Sequence, residues 1–127
     1  MDEQQHHEEL IKGISEQFKD VLEKSTQAIY IYLDDTHKIC NEKFAQLLGY
    51  DSAKAWAEIE APLADVIEED QDKVVEAYTN VMEKNMASNM DVRFKNAMTD
   101  EVIKAQLIMV PVMYSGHLFA IHFLSKI

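Results

Sequence analysis

At 127 residues the chain has the length of one domain, and a chain of this size hides roughly 65–70% of its unfolded surface. Its 12 basic residues against 23 acidic ones leave a net charge of −11, a surface that repels phosphate backbones and anionic lipid, so no nucleic-acid or polybasic membrane partner is expected. No apolar run approaches the ~20 residues that span a bilayer, and no signal peptide opens the chain. The single cysteine, Cys40, has no partner for an internal disulfide, which fits a cytoplasmic, reducing setting.

Residues 2–24 read as an amphipathic helix set apart from a domain over 25–127. Ile11, Ile14, Phe18 and Val21 form an a/d stripe flanked by Leu10 and Leu22. Gly13 interrupts the stripe at a cost of about 1 kcal/mol relative to alanine. Such a stripe packs either on its own domain or on a second copy. The expectation is the second, a homodimer with Ile11, Ile14, Phe18 and Val21 at its interface. His6 and His7, beside Glu8 and Glu9, read as a solvated helix end. Neighbouring histidines on a helix cannot both face one ion, so no metal site is expected there.

Ser25, Thr26 and Gln27 break the helix, and AIYIYL (28–33) reads as a strand, rich in β-branched and aromatic residues. Asp34, Asp35 and Thr36 supply a turn, and a short second strand over 37–40 completes a hairpin. The stretch NEKFAQLLGY (41–50) then reads as a capped helix. Asn41 is the N-cap, Phe44, Leu47 and Leu48 share one face, Gly49 closes the helix left-handed, and Tyr50 follows as the apolar residue beyond it. Asp51 or Ser52 starts another short helix with Ala53, Trp56 and Ile59, which Pro62 ends. Residues 63–67 add one turn.

Glu68, Glu69 and Asp70 precede a longer helix over about 70–87, where their charge complements the helix dipole; they read as a cap on a solvated surface. Its apolar stripe is Val74, Val75, Tyr78, Val81, Met82 and Met86. The period then changes to two. Met90, Val92 and Phe94 alternate with Asp91, Arg93 and Lys95, residues 98–101 turn, and the runs 102–113 and 117–124 complete a three-stranded antiparallel meander. Pro111 removes one ladder donor and points to an edge or bulge.

The order of elements, and the run IYLDDTHKICNEKFAQLLGY within it, resemble a PAS domain. Asp34 takes the family's turn aspartate, and Asn41, Phe44, Leu48, Gly49 and Tyr50 fall on its pattern. Asp35 stands where glycine is usual. IEEDQDKV (67–74) is similar to the acidic stretch before that family's long helix. The resemblance implies an α+β fold: a PAS-like five-stranded antiparallel sheet with short helices over one face and an N-terminal flanking helix. It also implies a sensory or regulatory role in signal transduction, two-component systems included, acting through a partner protein or a fused output domain.

A pocket between sheet and short helices would be lined by Ile29, Ile31, Phe44, Leu48, Tyr78, Met82, Phe94 and Met109. The same residues could equally fill a solid core. A small organic ligand fits that pocket. Haem held from the long helix is disfavoured, because no histidine lies between His37 and His117. Covalent flavin photochemistry is disfavoured too, since Cys40 is followed by Asn41 and Glu42, outside the required Asn-Cys-Arg motif. Cys40 reads as a small buried apolar residue. His117 and His122 point to opposite faces of the last strand; His122 reads as a satisfied sheet histidine, with a ligand contact or pH sensor as the alternative.

Two rival readings remain. One is a dimerisation or interaction module with no ligand. The other is a small cone-shaped enzyme of the ketosteroid-isomerase type, which needs an ionisable pocket group. Only His122 and Lys104 are available on the dry strand faces, and no nucleophile-base set or phosphate-binding glycine loop is present. No catalytic residue is therefore assigned. With no output module in the chain, either an excised input domain or action by contact with another protein is expected.

Overall fold

In the computed structural model, which describes residues 3–127, five strands form one antiparallel sheet in the order β2-β1-β5-β4-β3. The strands are β1 (Ala28–Asp34), β2 (His37–Cys40), β3 (Ser88–Lys95), β4 (Val102–Tyr114) and β5 (His117–Lys126). β5 is central because it pairs with both β1 and β4. The expected hairpin and meander are both present. Pro111 lies on β4 past its last β3 partner, Met109↔Ser88, where the strand pairs with β5 alone and a missing donor is tolerated.

Both faces of the sheet are covered. On one lie α3 (Glu42–Leu47), α4 (Ala53–Ala57), a 3-10 turn (Pro62–Asp65) and α5 (Glu68–Lys84), enclosing a core that includes Phe44, Leu48, Trp56, Val81, Val92, Phe94 and Met109. On the other lies the N-terminal segment. Its expected start at residue 2 falls outside the described residues. It is also not continuous: α1 (Glu3–Gln17) and α2 (Lys19–Lys24) are separated at Phe18, whose φ of −102° and ψ of 11° leave the helical region.

Leu10 and Ile14 of α1 are buried against Ile29, Ile31, Phe119 and Ile121 of the sheet. Each such burial stabilises the fold by about 1.5–3 kcal/mol. Gly13 has a reason beyond helix geometry: a Cβ there would collide with the hydroxyl of Tyr114 on β4. Glycine lets helix and sheet approach at that point.

The capped helix forms as its residues dictate. Asn41 Oδ1 accepts from the amide of Phe44 (3.0 Å), and Gly49 closes the helix at a φ of +83°. Ser52 caps α4. Pro62 differs from expectation: α4 already ends at Ala57, and Pro62 opens the 3-10 turn, where its fixed φ and missing N–H cost nothing. α5 starts at Glu68 and stops at Lys84, with Asn85 in the left-handed conformation, so Met86 lies beyond the helix and is exposed. Val75 is likewise largely exposed, while Ala77 takes the buried position between Val74 and Val81.

The acidic run is only partly a solvated cap. Asp70 is buried and accepts from Arg93 of β3 three times: from the backbone amide (2.8 Å), from Nε (3.0 Å) and from Nη2 (2.9 Å). Those hydrogen bonds hold its carboxyl down to about 2, against the opposing effect of burial. The pair ties the start of α5 to β3, and the Val66↔Phe94 bridge continues the seam.

Candidate functional site

The site begins with the alternation of β1. Successive side chains of a strand point to opposite faces. Ile29 and Ile31 face α1, while Tyr30 and Tyr32 face the short helices. Asn41 helps to set this phase: besides capping α3 it accepts from the amide of Ile29 (3.1 Å) and donates to the carbonyl of Gln27 (2.9 Å).

Between β1, β5 and the helices is an apolar cavity of about 310 Å³, lined by Tyr30, Tyr32, Phe44, Leu48, Trp56, Tyr78, Phe94, Met109 and His122, among others. Its volume is at the lower end of the range usual for small-molecule sites. The interior is therefore not filled solid by side chains.

Five of the eight anticipated lining residues are present: Phe44, Leu48, Tyr78, Phe94 and Met109. Ile29 and Ile31 do not line it, because the strand is in the opposite phase and they pack under α1. Met82 is partly buried against the core and lies outside the cavity wall. Sequence reasoning missed Tyr30, Tyr32 and Trp56. The alternation Ile-Tyr-Ile-Tyr offers an apolar residue to either face, so periodicity alone left the phase open.

Aromatic rings build the walls. Tyr30 stacks on His122, touches Phe44 at 4.6 Å between centroids and Trp56 at 5.3 Å, and Phe44 meets Trp56 edge-on at 4.9 Å. Tyr32 meets Tyr78 edge-on at 5.3 Å and donates to Asp35 (2.6 Å). Trp56 is positioned by Lys38, a buried lysine whose ammonium donates to the carbonyls of Asp35, Ala57 (3.1 Å) and Ile59. Three donors meet three acceptors, and the charge sits 5.2 Å over the Trp56 ring. Burial lowers the Lys38 pKa, with Asp35 and Asp34 opposing it. Tyr50 donates to Asp65 (2.7 Å) and so joins the end of α3 to the 3-10 turn.

His122 is, with Asp35, one of the ionisable groups set among the aromatic rings of this wall. It is buried, its Nδ1 has no hydrogen-bond partner, and burial pushes its pKa down to about 3 despite the neighbouring backbone of Ala120 and Tyr30. The expectation of a satisfied sheet histidine holds only in part: the backbone of Ala120 and Tyr30 hydrogen-bonds to the ring, while Nδ1 lacks a partner. The ring is neutral, with one ring atom lacking a partner inside the cavity wall. Lys104, the other ionisable candidate, is exposed. Cys40 is buried near the carbonyl of Ala53, and burial pushes its thiol up to about 12, which makes it a packing residue.

A second cluster lies on the α1 side. His7 Nδ1 and His37 Nδ1 each lie 2.7 Å from one carboxylate oxygen of Asp34, and the His6 ring packs edge-on against His117 at 4.7 Å. His7 is therefore not a solvated helix end, and the doublet splits as adjacent helix positions require.

Three solved structures share this architecture. A PAS domain from a two-component sensor histidine kinase is 12% identical and matches 91% of this chain and 99% of its own, with a TM-score of 0.67. The PAS domain of a protein from Colwellia psychrerythraea is 16% identical over 90% of this chain and 97% of its own, with a TM-score of 0.69. The chain has a PAS fold.

A third PAS structure, from an HTR-like protein of Haloarcula marismortui, is 15% identical over 97% of this chain and 99% of its own, at a TM-score of 0.62. The sequence matches no established protein family and no curated protein. The PAS architecture therefore rests on shape and on local rules that Asn41, Gly49 and Tyr50 obey. Among the described residues, no helix is long and apolar enough to cross a membrane.

Proposed function

We propose that this PAS fold is a cytoplasmic sensory or regulatory domain of signal transduction that takes a small, mainly apolar organic molecule into the cavity under β1 and β5. The observation that carries this reading is the cavity of about 310 Å³ with the unpartnered His122 Nδ1 in its wall. Aromatic faces supply apolar contact, and a ligand hydroxyl, amide or carbonyl would satisfy the imidazole.

β1 provides the route outward. Its Tyr30 and Tyr32 touch the cavity, and its Ile29 and Ile31 touch α1, so a ligand that shifts the strand shifts the flanking helix. The signal then passes to a partner protein or output domain, as in the sensor kinases from which similar folds come. No catalytic role is assigned to any residue.

A homodimer remains part of the proposal, with altered membership. Ile14 has no exposed surface left for a second copy, whereas Ile11 and Phe18 are half-buried and Val21 is half exposed. Val21→Glu should convert dimer to folded monomer.

Native mass spectrometry of gently purified protein, with an absorption spectrum, tests the whole reading. Added small-molecule mass that disappears in a Tyr30→Trp variant, whose larger ring fills the cavity, supports a ligand sensor. A clean dimer that takes up no compound from a library of small aromatic and aliphatic molecules would favour the ligand-free interaction module. A clean monomer would remove the dimer.

A further inference from the structure

Four of the five histidines in this chain, His6, His7, His37 and His117, lie in two ring contacts beneath α1. Around one of them the geometry is that of a coordination set. His7 comes from the second turn of α1, Asp34 from the end of β1 and His37 from the start of β2. One donor atom from each lies within 4.8 Å of the others. Each Nδ1 contacts its own oxygen of the shared carboxylate at 2.7 Å.

We propose that His7, Asp34 and His37 bind one divalent first-row transition ion of the zinc type, with water completing the coordination. Ligand bonds of about 2.0–2.2 Å at tetrahedral angles set donor atoms about 3.3 Å apart. The donors already straddle that spacing, so ring rotations of about an ångström close the set. Two imidazoles and one carboxylate favour zinc, nickel, cobalt or iron over calcium or magnesium, which prefer oxygen.

The carboxylate is held ready. Asp34 Oδ1 accepts from the amide (3.0 Å) and hydroxyl (3.1 Å) of Thr36, which leaves Oδ2 to bind an ion while Oδ1 keeps the turn. On binding, each imidazole presents its Nδ1 lone pair and carries its proton on Nε2, so the two N–H···O contacts to Asp34 give way to two N–metal bonds. The chain's overall charge of −11 also draws cations.

Occupancy would clamp α1 to the β1–β2 hairpin. The site is independent of the cavity, which lies on the opposite sheet face, so it stands whether or not a small molecule binds there.

The test is a calorimetric titration of the chelator-treated 127-residue protein with Zn(II), repeated with Co(II) for its visible bands. The expected result is one ion per chain, four-coordinate cobalt bands and a raised Tm. His7→Gln, on the outer helix and outside the core, should weaken binding at least about tenfold, as should Asp34→Asn, while His6→Gln changes it less than about threefold. Absence of binding at micromolar Zn(II) overturns the site. So does unchanged binding in Asp34→Asn, which would place any bound ion away from the shared carboxylate.

Discussion

The phenol ring of Tyr30 lies flat on the imidazole of His122, with centroids 3.9 Å apart and planes 10° from parallel. The two are cross-strand partners of β1 and β5, so the contact marks where the two central strands set the cavity wall. It also keeps the imidazole in an apolar setting without a partner for Nδ1.

Replacing that imidazole should therefore stabilise the protein. His122→Phe keeps the stack, removes a buried unpartnered nitrogen, and is expected to raise the unfolding free energy by about 1–3 kcal/mol. Urea denaturation at pH 7 measures it. A loss of stability in this variant would mean that Nδ1 is satisfied in solution.

The same residue sets a pH dependence. Its pKa falls from 6.5 in the unfolded chain to about 3 when folded, so between these values the unfolded state binds more protons. Stability is then complete above pH 6.5 and falls as pH drops towards 3, by up to about 1 kcal/mol per unit. Asp34 and Asp70 add losses of the same sign at the acid end, so the comparison is with His122→Phe, which should be flatter between pH 6 and 4. Parallel profiles would count against a buried neutral imidazole.

Asn41 serves three backbone groups from one buried amide. Asn41→Ala leaves the amides of Ile29 and Phe44 and the carbonyl of Gln27 to find other partners and should cost about 3 kcal/mol. Asn41→Asp keeps both accepted bonds and loses the donated one, so it should be intermediate. Chemical denaturation of the three proteins gives the order.

Gly13 and Tyr114 should be coupled. Gly13→Ala alone gains about 1 kcal/mol of helix propensity but displaces the Tyr114 hydroxyl, for a net loss of about 1 kcal/mol. In a Tyr114→Leu background the same change should become stabilising. A double-mutant cycle by thermal unfolding reads the sign reversal, and additive effects would show that helix and strand do not meet there.

Asp70→Asn should cost about 1–2 kcal/mol at pH 7, discounted because the Arg93 side chain faces solvent and is screened. The folded Asp70 pKa lies near 2, below its unfolded value, so the contribution is present above about pH 4 and lost as pH falls through 2. Wild type and variant should converge in acid; a constant gap from pH 7 to 2 would point to packing instead of charge.

Local rules carried much of this protein into view from its residues alone. Asn41, Gly49 and Ser52 are cap and closure residues whose role depends on a few neighbouring amides, and the switch from helical period to period two at Met90 is a property of the chain itself. These determined the order of elements, the meander and the resemblance to a PAS fold. What required tertiary structure was every choice between two apolar faces. Ile29 and Ile31 against Tyr30 and Tyr32 is such a choice, because a sheet covered on both sides offers a hydrophobic environment in either phase. Whether α1 turns Ile14 to its own sheet or to another chain is a second. The meeting of His7, Asp34 and His37 is a third, since contacts between residues 27 positions apart depend on how a helix docks, which no local spacing encodes.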